Sequence, residues 1–170
     1  MDILQTERLE LGHLALDDAA FIVQLVNEPG WLRFIGDRGI HTIEQAEAYL
    51  RDGPMASYAA NGFGLYLVRR KVDGQRLGMC GLVKRPSLPH VDIGFAFLDA
   101  FMGQGYAFEA ATAVLHHAKF DLNIDPVVAI TDPQNKRSIK LLEKLGLKLH
   151  NKIQTAEDRP PVLLFHPGKP

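Results

Sequence analysis

The sequence predicts an α/β (α+β) fold, with helices layered on one central sheet. Three observations predict it. Strand-like and helix-like patterns alternate along the chain, an Asp-Gly turn joins two of the β-rich runs, and 170 residues fit one domain with a substantial core. No repeat, linker or low-complexity tract divides the chain, so a single domain over residues 1–170 is expected.

Leu9 to Leu14 reads as a first strand. Asp17 and Asp18 open a helix whose apolar face is Phe21, Ile22, Leu25 and Val26, stopped by Pro29-Gly30. Gly30 to His41 reads as a loop or short helix. Thr42-Ile43-Glu44-Gln45 is a capping box, so a second helix should run to about Asp52. Phe63–Arg70 and Leu77–Lys84 are β-rich runs joined by Val72-Asp73-Gly74-Gln75, and Val91–Leu98 is the next strand. Gly105 to about Phe120 carries Ala107, Ala110, Ala111, Val114, Leu115 and Ala118 at the offsets of one helical face. Pro126–Thr131 is a short apolar strand. Asp132-Pro133 should start a helix that Gly146 ends, before a final strand pair, Leu147–Ile153 and Pro161–His166.

With 46% hydrophobic and 23% charged residues and a formal net charge of −1, composition favours neither nucleic acid nor an anionic membrane as partner. No apolar stretch approaches the ~18 residues needed to span a bilayer, and the first residues resemble no signal peptide. The single cysteine, Cys80, reads as a small buried hydrophobe. No Cys/His cluster has metal-ligand spacing, and the adjacent His116 and His117 cannot form an i, i+4 pair, so no metal is expected. The class is a cytoplasmic enzyme or binding protein.

The informative segment runs from Val91 to Ala107. Ile93, Phe95 and Phe97 share one strand face, while Asp92, Gly94 and Ala96 share the other. The second face sets one carboxylate beside two tiny side chains, an arrangement that leaves space for a ligand. The strand feeds Gly103-Gln104-Gly105-Tyr106-Ala107, a glycine turn opening a helix, where free amides and the helix dipole favour phosphate. It is no Walker A loop. Nor is it a dinucleotide fingerprint, because Phe108 stands where the third glycine would be.

Ile93-Gly94-Phe95-Ala96-Phe97 followed by Met102-Gly103-Gln104-Gly105-Tyr106-Ala107-Phe108-Glu109-Ala110 resembles the acetyl-CoA signature of GNAT acetyltransferases. Asn135-Lys136-Arg137-Ser138 and Leu141-Leu142-Glu143-Lys144-Leu145-Gly146-Leu147 resemble that superfamily's second cofactor motif. Thr6-Glu7-Arg8-Leu9-Glu10-Leu11 resembles the amino terminus of its RimJ/RimL-like branch. The resemblance implies a single GNAT-type domain with a mixed, mostly antiparallel sheet flanked by helices. In it the fourth and fifth predicted strands, Val91–Leu98 and Pro126–Thr131, run parallel and splay apart around acetyl-CoA.

The resemblance further implies that the backbone of Phe95, Ala96 and Phe97 pairs with the pantetheine arm. Met102, Gly103, Gln104, Gly105, Tyr106 and Ala107 would form the pyrophosphate turn, and the Asn135 amide would meet the pantetheine from the opposite side. A substrate amine would attack directly in a ternary complex. Asp92 occupies the position of an acidic base, acting through water since aspartate is short. Ser138 is the remaining donor to the CoA sulfur, because Leu142 replaces the tyrosine of many relatives. Backbone amides do the phosphate work, so Met102 in place of glutamine or arginine weakens recognition more than function.

Plainer readings stand beside these. Asp92 is otherwise a strand-edge carboxylate in solvent, Asn135 an early-helix polar residue, Ser138 a space filler, and Lys136 and Arg137, which flank the cofactor motif and could meet the nucleotide phosphates, solvated helix charges. Trp31 and Phe34 are core packing or acceptor-pocket lining. The expected partner is an amine, either a protein amino terminus or a small molecule; homodimers are common in the family. The alternative function is an acyl-CoA-binding module with little catalysis.

Overall fold

The computed structural model describes residues 2–168, so Met1, Lys169 and Pro170 of the expected domain lie outside it. Strands β1 (Asp2–Gln5), β2 (Leu9–His13), β3 (Leu65–Arg70), β4 (Arg76–Val83) and β5 (Asp92–Phe97) form an antiparallel sheet in that order. Strands β6 (Ala129–Thr131), β7 (Leu147–Ile153) and β8 (Val162–Pro167) form a second antiparallel sheet, ordered β6-β8-β7. The expected splay is therefore wide enough to split one sheet into two. They meet at a parallel bridge between Asp92 and Val128, where Ile93 N–H donates to Val128 O and Val128 N–H to Val91 O, both at 2.9 Å.

Helices α1 (Ala19–Val26), α2 (Pro29–Phe34), α3 (Ile43–Leu50) and α4 (Ala56–Asn61) lie between β2 and β3 in sequence. Helix α5 (Tyr106–Phe120) follows β5, and α6 (Lys136–Lys144) follows β6. Strand alternation divides the apolar residues between two cores. Leu9, Leu11, Tyr66, Val68, Cys80, Leu82, Ile93 and Phe97 bury one face against Ala110, Ala111, Val114 and Ala118 of α5. Leu67 and Met79 bury the other against Ile22, Leu25, Ala46 and Leu50 of α1 and α3. Cys80 is fully buried, as expected, and burial pushes its thiol pKa up.

The Thr42 hydroxyl accepts from Gln45 N–H at 3.1 Å and Gln45 Oε1 accepts from Thr42 N–H, also at 3.1 Å, as the capping box requires. The turn at Gly74 (φ +71°) and the helix end at Gly146 (φ +91°) also fall where the sequence places them. Four differences bear on the fold. Strand β1 exists because Thr6 turns the chain, its N–H bonded to Leu9 O at 2.9 Å, so that a short segment pairs with β2. Helix α3 does not stop for Pro54. A π-turn over Arg51–Met55 absorbs the proline, and α4 runs on to Gly62, left-handed at φ +77°. The strand expected from Pro126 contracts to Ala129–Thr131, and α6 begins at Lys136 rather than Pro133. There Asp132 Oδ1 takes Gln134 N–H at 2.8 Å, forming a turn before Asn135 caps the helix.

Strands β3 and β4 approach so closely at Gly81 that a Cβ there would lie 2.7 Å from Leu65 Cα and overlap Gly64 O. Backbone cannot step aside without breaking the ladder. Gly81→Ala should therefore lower unfolding free energy by at least about 2 kcal/mol, read as a lower urea midpoint at unchanged slope.

Candidate active site

Past the Asp92–Val128 bridge, β5 and β6 diverge and share no ladder among the described residues. Antiparallel strands alternate the direction of their backbone groups. Ile93 N–H faces β6, whereas Leu98 N–H bonds back to Leu77 O at 2.9 Å. By that alternation Phe95 and Phe97 present N–H and C=O to the gap, and Ala96 turns its own to β4. The edge of β5, not its face, holds the open space. Leu65 Cδ2 would lie 3.3 Å from a Cβ at Gly94, so a larger side chain there would be tight, and the half-buried Ala96 packs against the second core.

Asp92 sits at the closed end of the gap and is 1% exposed, which overturns the solvent-facing reading. Its Oδ1 accepts from Arg85 Nε at 2.9 Å. Burial raises the Asp92 pKa, and the Arg85 charge and hydrogen bond offset only part of that rise. A buried carboxylate shifted upward is the electrostatic condition for a base working near neutrality. Tyr49, on α3, has its hydroxyl pKa raised by burial against the pull of Arg38 and Arg85, so both guanidinium groups lie within electrostatic reach of it.

At the open end, Gly103 (φ +78°) and Gly105 (φ +83°) take left-handed conformations that admit glycine, and Gly105 caps α5. Glu109 N–H bonds to Gly105 O at 3.1 Å, leaving the amides ahead of it pointing out of the helix start. Tyr106, expected to belong to the turn, is buried at the head of α5, and Arg8 lies over its ring at 4.4 Å.

The turn is braced from the amino terminus. Glu109 accepts from Arg8 Nε (2.7 Å), from the Arg8 amide (2.9 Å) and from the Thr6 hydroxyl (2.5 Å), while Arg8 Nη1 donates to Gln104 O at 3.0 Å. Burial would raise the Glu109 pKa, but the Thr6 and Arg8 contacts outweigh it and hold the carboxyl below its usual range. Spacing alone does not reveal this brace, because its partners lie about a hundred residues apart.

From the other side of the gap, Asn135 Oδ1 caps α6 by accepting from Ser138 N–H at 3.2 Å. The Asn135 backbone N–H bonds to Asp132 O at 3.0 Å, which leaves the side-chain Nδ2 as its available donor. Ser138 is half-buried in the first turn of α6. Leu142 is fully buried in the core and has no access to the gap. Arg137 reaches across and donates to Met102 Sδ at 2.8 Å, so the two motifs touch. His117 pairs with Asp121 at 2.7 Å and His116 packs on Phe120, both away from the gap. Among the described residues, no group of three His, Cys, Asp or Glu side chains is arranged to hold a metal.

A free strand edge running into a glycine-capped helix start fits an extended thioester with a phosphorylated tail. The family profile for the acetyltransferase (GNAT) domain matches residues 8–148. The chain belongs to the GNAT acetyltransferase family. It is 28% identical to the Bacillus subtilis (strain 168) protein YkkB over 154 residues, covering 89% of this chain and 88% of that one. To N-acetyltransferase p20 of Bacillus licheniformis it is 24% identical over 159 residues, covering 92% and 88%.

Among solved structures, an acetyltransferase from Agrobacterium tumefaciens str. C58 superposes with a TM-score of 0.81 at 25% identity, over 98% of this chain and 94% of that one. RimL, the ribosomal L7/L12 alpha-N-protein acetyltransferase, in complex with coenzyme A gives 0.82 over 98% and 97% at 18% identity, a likeness of fold. The chain is an N-acetyltransferase of this fold, and acetyl-CoA is the family's acetyl donor.

Removing the guanidinium frees the Gln104 carbonyl and takes the ion pair from Glu109, which keeps the Thr6 hydroxyl and the residue-8 amide. Arg8→Ala should weaken coenzyme A binding roughly tenfold while the protein stays folded, as measured by titration calorimetry beside a thermal melt.

Proposed function

We propose that the protein moves the acetyl group of acetyl-CoA to a primary amine in a ternary complex, as one catalytic domain. The observation that carries the reading is the gap itself. A free β5 edge leads from a buried, ion-paired carboxylate at one end to a glycine-capped helix start at the other. The backbone of Phe95 and Phe97 pairs with the pantetheine arm, with Ala96 between them holding the strand to β4. Amides from Gly103 to Ala107 hold the pyrophosphate, with Met102 at the entry to the turn, and Asn135 Nδ2 closes on the arm from α6.

Acetyl-CoA supplies an activated acyl group, and this chain's residues supply position and proton transfer. Backbone amides at the gap polarise the thioester carbonyl. Asp92, directly or through water, takes the proton of the attacking amine. Ser138 donates to the departing sulfur as a hydrogen-bond partner, since Leu142 cannot. Thr6-Glu7-Arg8-Leu9 and the likeness to the RimL fold support placement near the RimJ/RimL branch, whose acceptors include ribosomal protein amino termini. The burial of Leu142 favours a second reading, an acyl-CoA-binding module with little catalysis.

Two measurements test the function. Acetyl-CoA or coenzyme A at ~100 times its dissociation constant should add roughly 2.7 kcal/mol, on the order of 5–10 °C in Tm, with no shift from NAD. No shift from either CoA ligand would refute CoA binding at the gap. Asp92→Asn should cut kcat roughly a hundredfold or more while leaving CoA affinity intact; an unchanged kcat would remove the carboxylate from the mechanism.

Wild-type kcat should rise with pH through the raised pKa of Asp92 and flatten above it. The stability consequence has the opposite sign. Asp92 holds its proton more tightly folded than unfolded, so its contribution is full below the ordinary carboxylate pKa of ~3.9 and is lost as pH rises through the raised value.

A further inference from the structure

The ion pair at the closed end of the gap is one-sided. Asp92 is 1% exposed, whereas the Arg85 side chain is 36% exposed. Arg85 uses only Nε on Asp92, and its Nη1 and Nη2 have no protein partner among the described residues. Its planar fork therefore offers two further donors beside the carboxylate, in the arrangement that suits a bidentate anion. The unused fork favours an acceptor that brings its own anion.

The Asp92–Arg85 pair also has a shape. Negative and positive groups lie side by side 2.9 Å apart, and their natural complement is a molecule with ammonium and carboxylate equally close. A free amino acid has that layout. A peptide amino terminus has a neutral carbonyl where the amino acid has its carboxylate. Resting on the transferase reading above, we propose that the acceptor is a small zwitterionic amine, an amino acid or close analogue. Arg85 grips its carboxylate while its amino group turns toward Asp92.

Steady-state transfer from acetyl-CoA to free amino acids, their carboxamides and short peptides tests this. The free acids should exceed their carboxamides in kcat/KM by tenfold or more, with the difference in KM rather than kcat. Arg85→Gln should erase the discrimination while coenzyme A binding, which confirms the fold, stays intact. Carboxamides or peptides turned over as efficiently as the acids would overturn the inference and leave the acetyltransferase reading standing. Failure to acetylate any amine, with coenzyme A still bound, would sink both.

Discussion

The structure depends on how briefly β5 and β6 stay together. Two backbone hydrogen bonds join them, at Ile93 and Val128, and then each strand commits to a different sheet. β6 is taken by β8 in an antiparallel register of Ala129 with Phe165, and β5 by β4 from Val83–Asp92 to Gly78–Phe97. The consequence is a row of backbone donors and acceptors facing a gap instead of a neighbouring strand. Unpaired backbone polar groups need partners. An extended molecule with amide groups of its own provides them, which is why the splay can serve as a binding site rather than a flaw in the sheet.

Around that gap the side chains hold backbone and the backbone faces the opening. Arg8, Thr6 and Glu109 fix the glycine turn from beneath, and Arg8 also touches the Gln104 carbonyl within it. Asn135 fixes the start of α6 on the far side, and Arg137 ties that helix back to Met102. The buried Asp92 is held by one arginine at the closed end. The Arg8–Glu109, Arg8–Gln104 and Arg137–Met102 braces join residues distant in sequence, so the two sides of the gap are held by tertiary contacts, while the Asn135 cap and the Arg85–Asp92 pair are local.

That division explains what was legible beforehand. The strand-turn-helix unit from Asp92 to Phe120, the capping box at Thr42 and the helix end at Gly146 follow from local rules of alternation, capping and left-handed glycine. The partners of those residues do not. Nothing in the spacing of Arg85 says that it covers Asp92, and nothing near Gly94 says that Leu65 lies beside it. The π-turn over Pro54 escaped for the same reason. Proline's local penalty argues for a break, and burial of Leu50 before the turn and of Pro54 within it keeps the helix going. His13 is another case. It stacks on Tyr58 at 3.9 Å, whose hydroxyl accepts from Leu14 N–H and donates to Leu65 O. Its role in joining β2 to β3 and α4 could not be read from its neighbours in sequence.

Trp31 is the only tryptophan in the chain. It is 8% exposed, its indole N–H is buried without a partner, and it packs in the same core as Leu98, with Ala96 and Phe101 against that core. Next to it in sequence, Gly30 has its Cβ position 3.8 Å from Asp99 Oδ1, on the segment that carries β5 into the glycine turn. The protein thus carries one tryptophan, which can be excited apart from its four tyrosines, in an apolar setting against the segment between the strand edge and the helix start. Its emission reports on a single place, and that place is the approach to the gap.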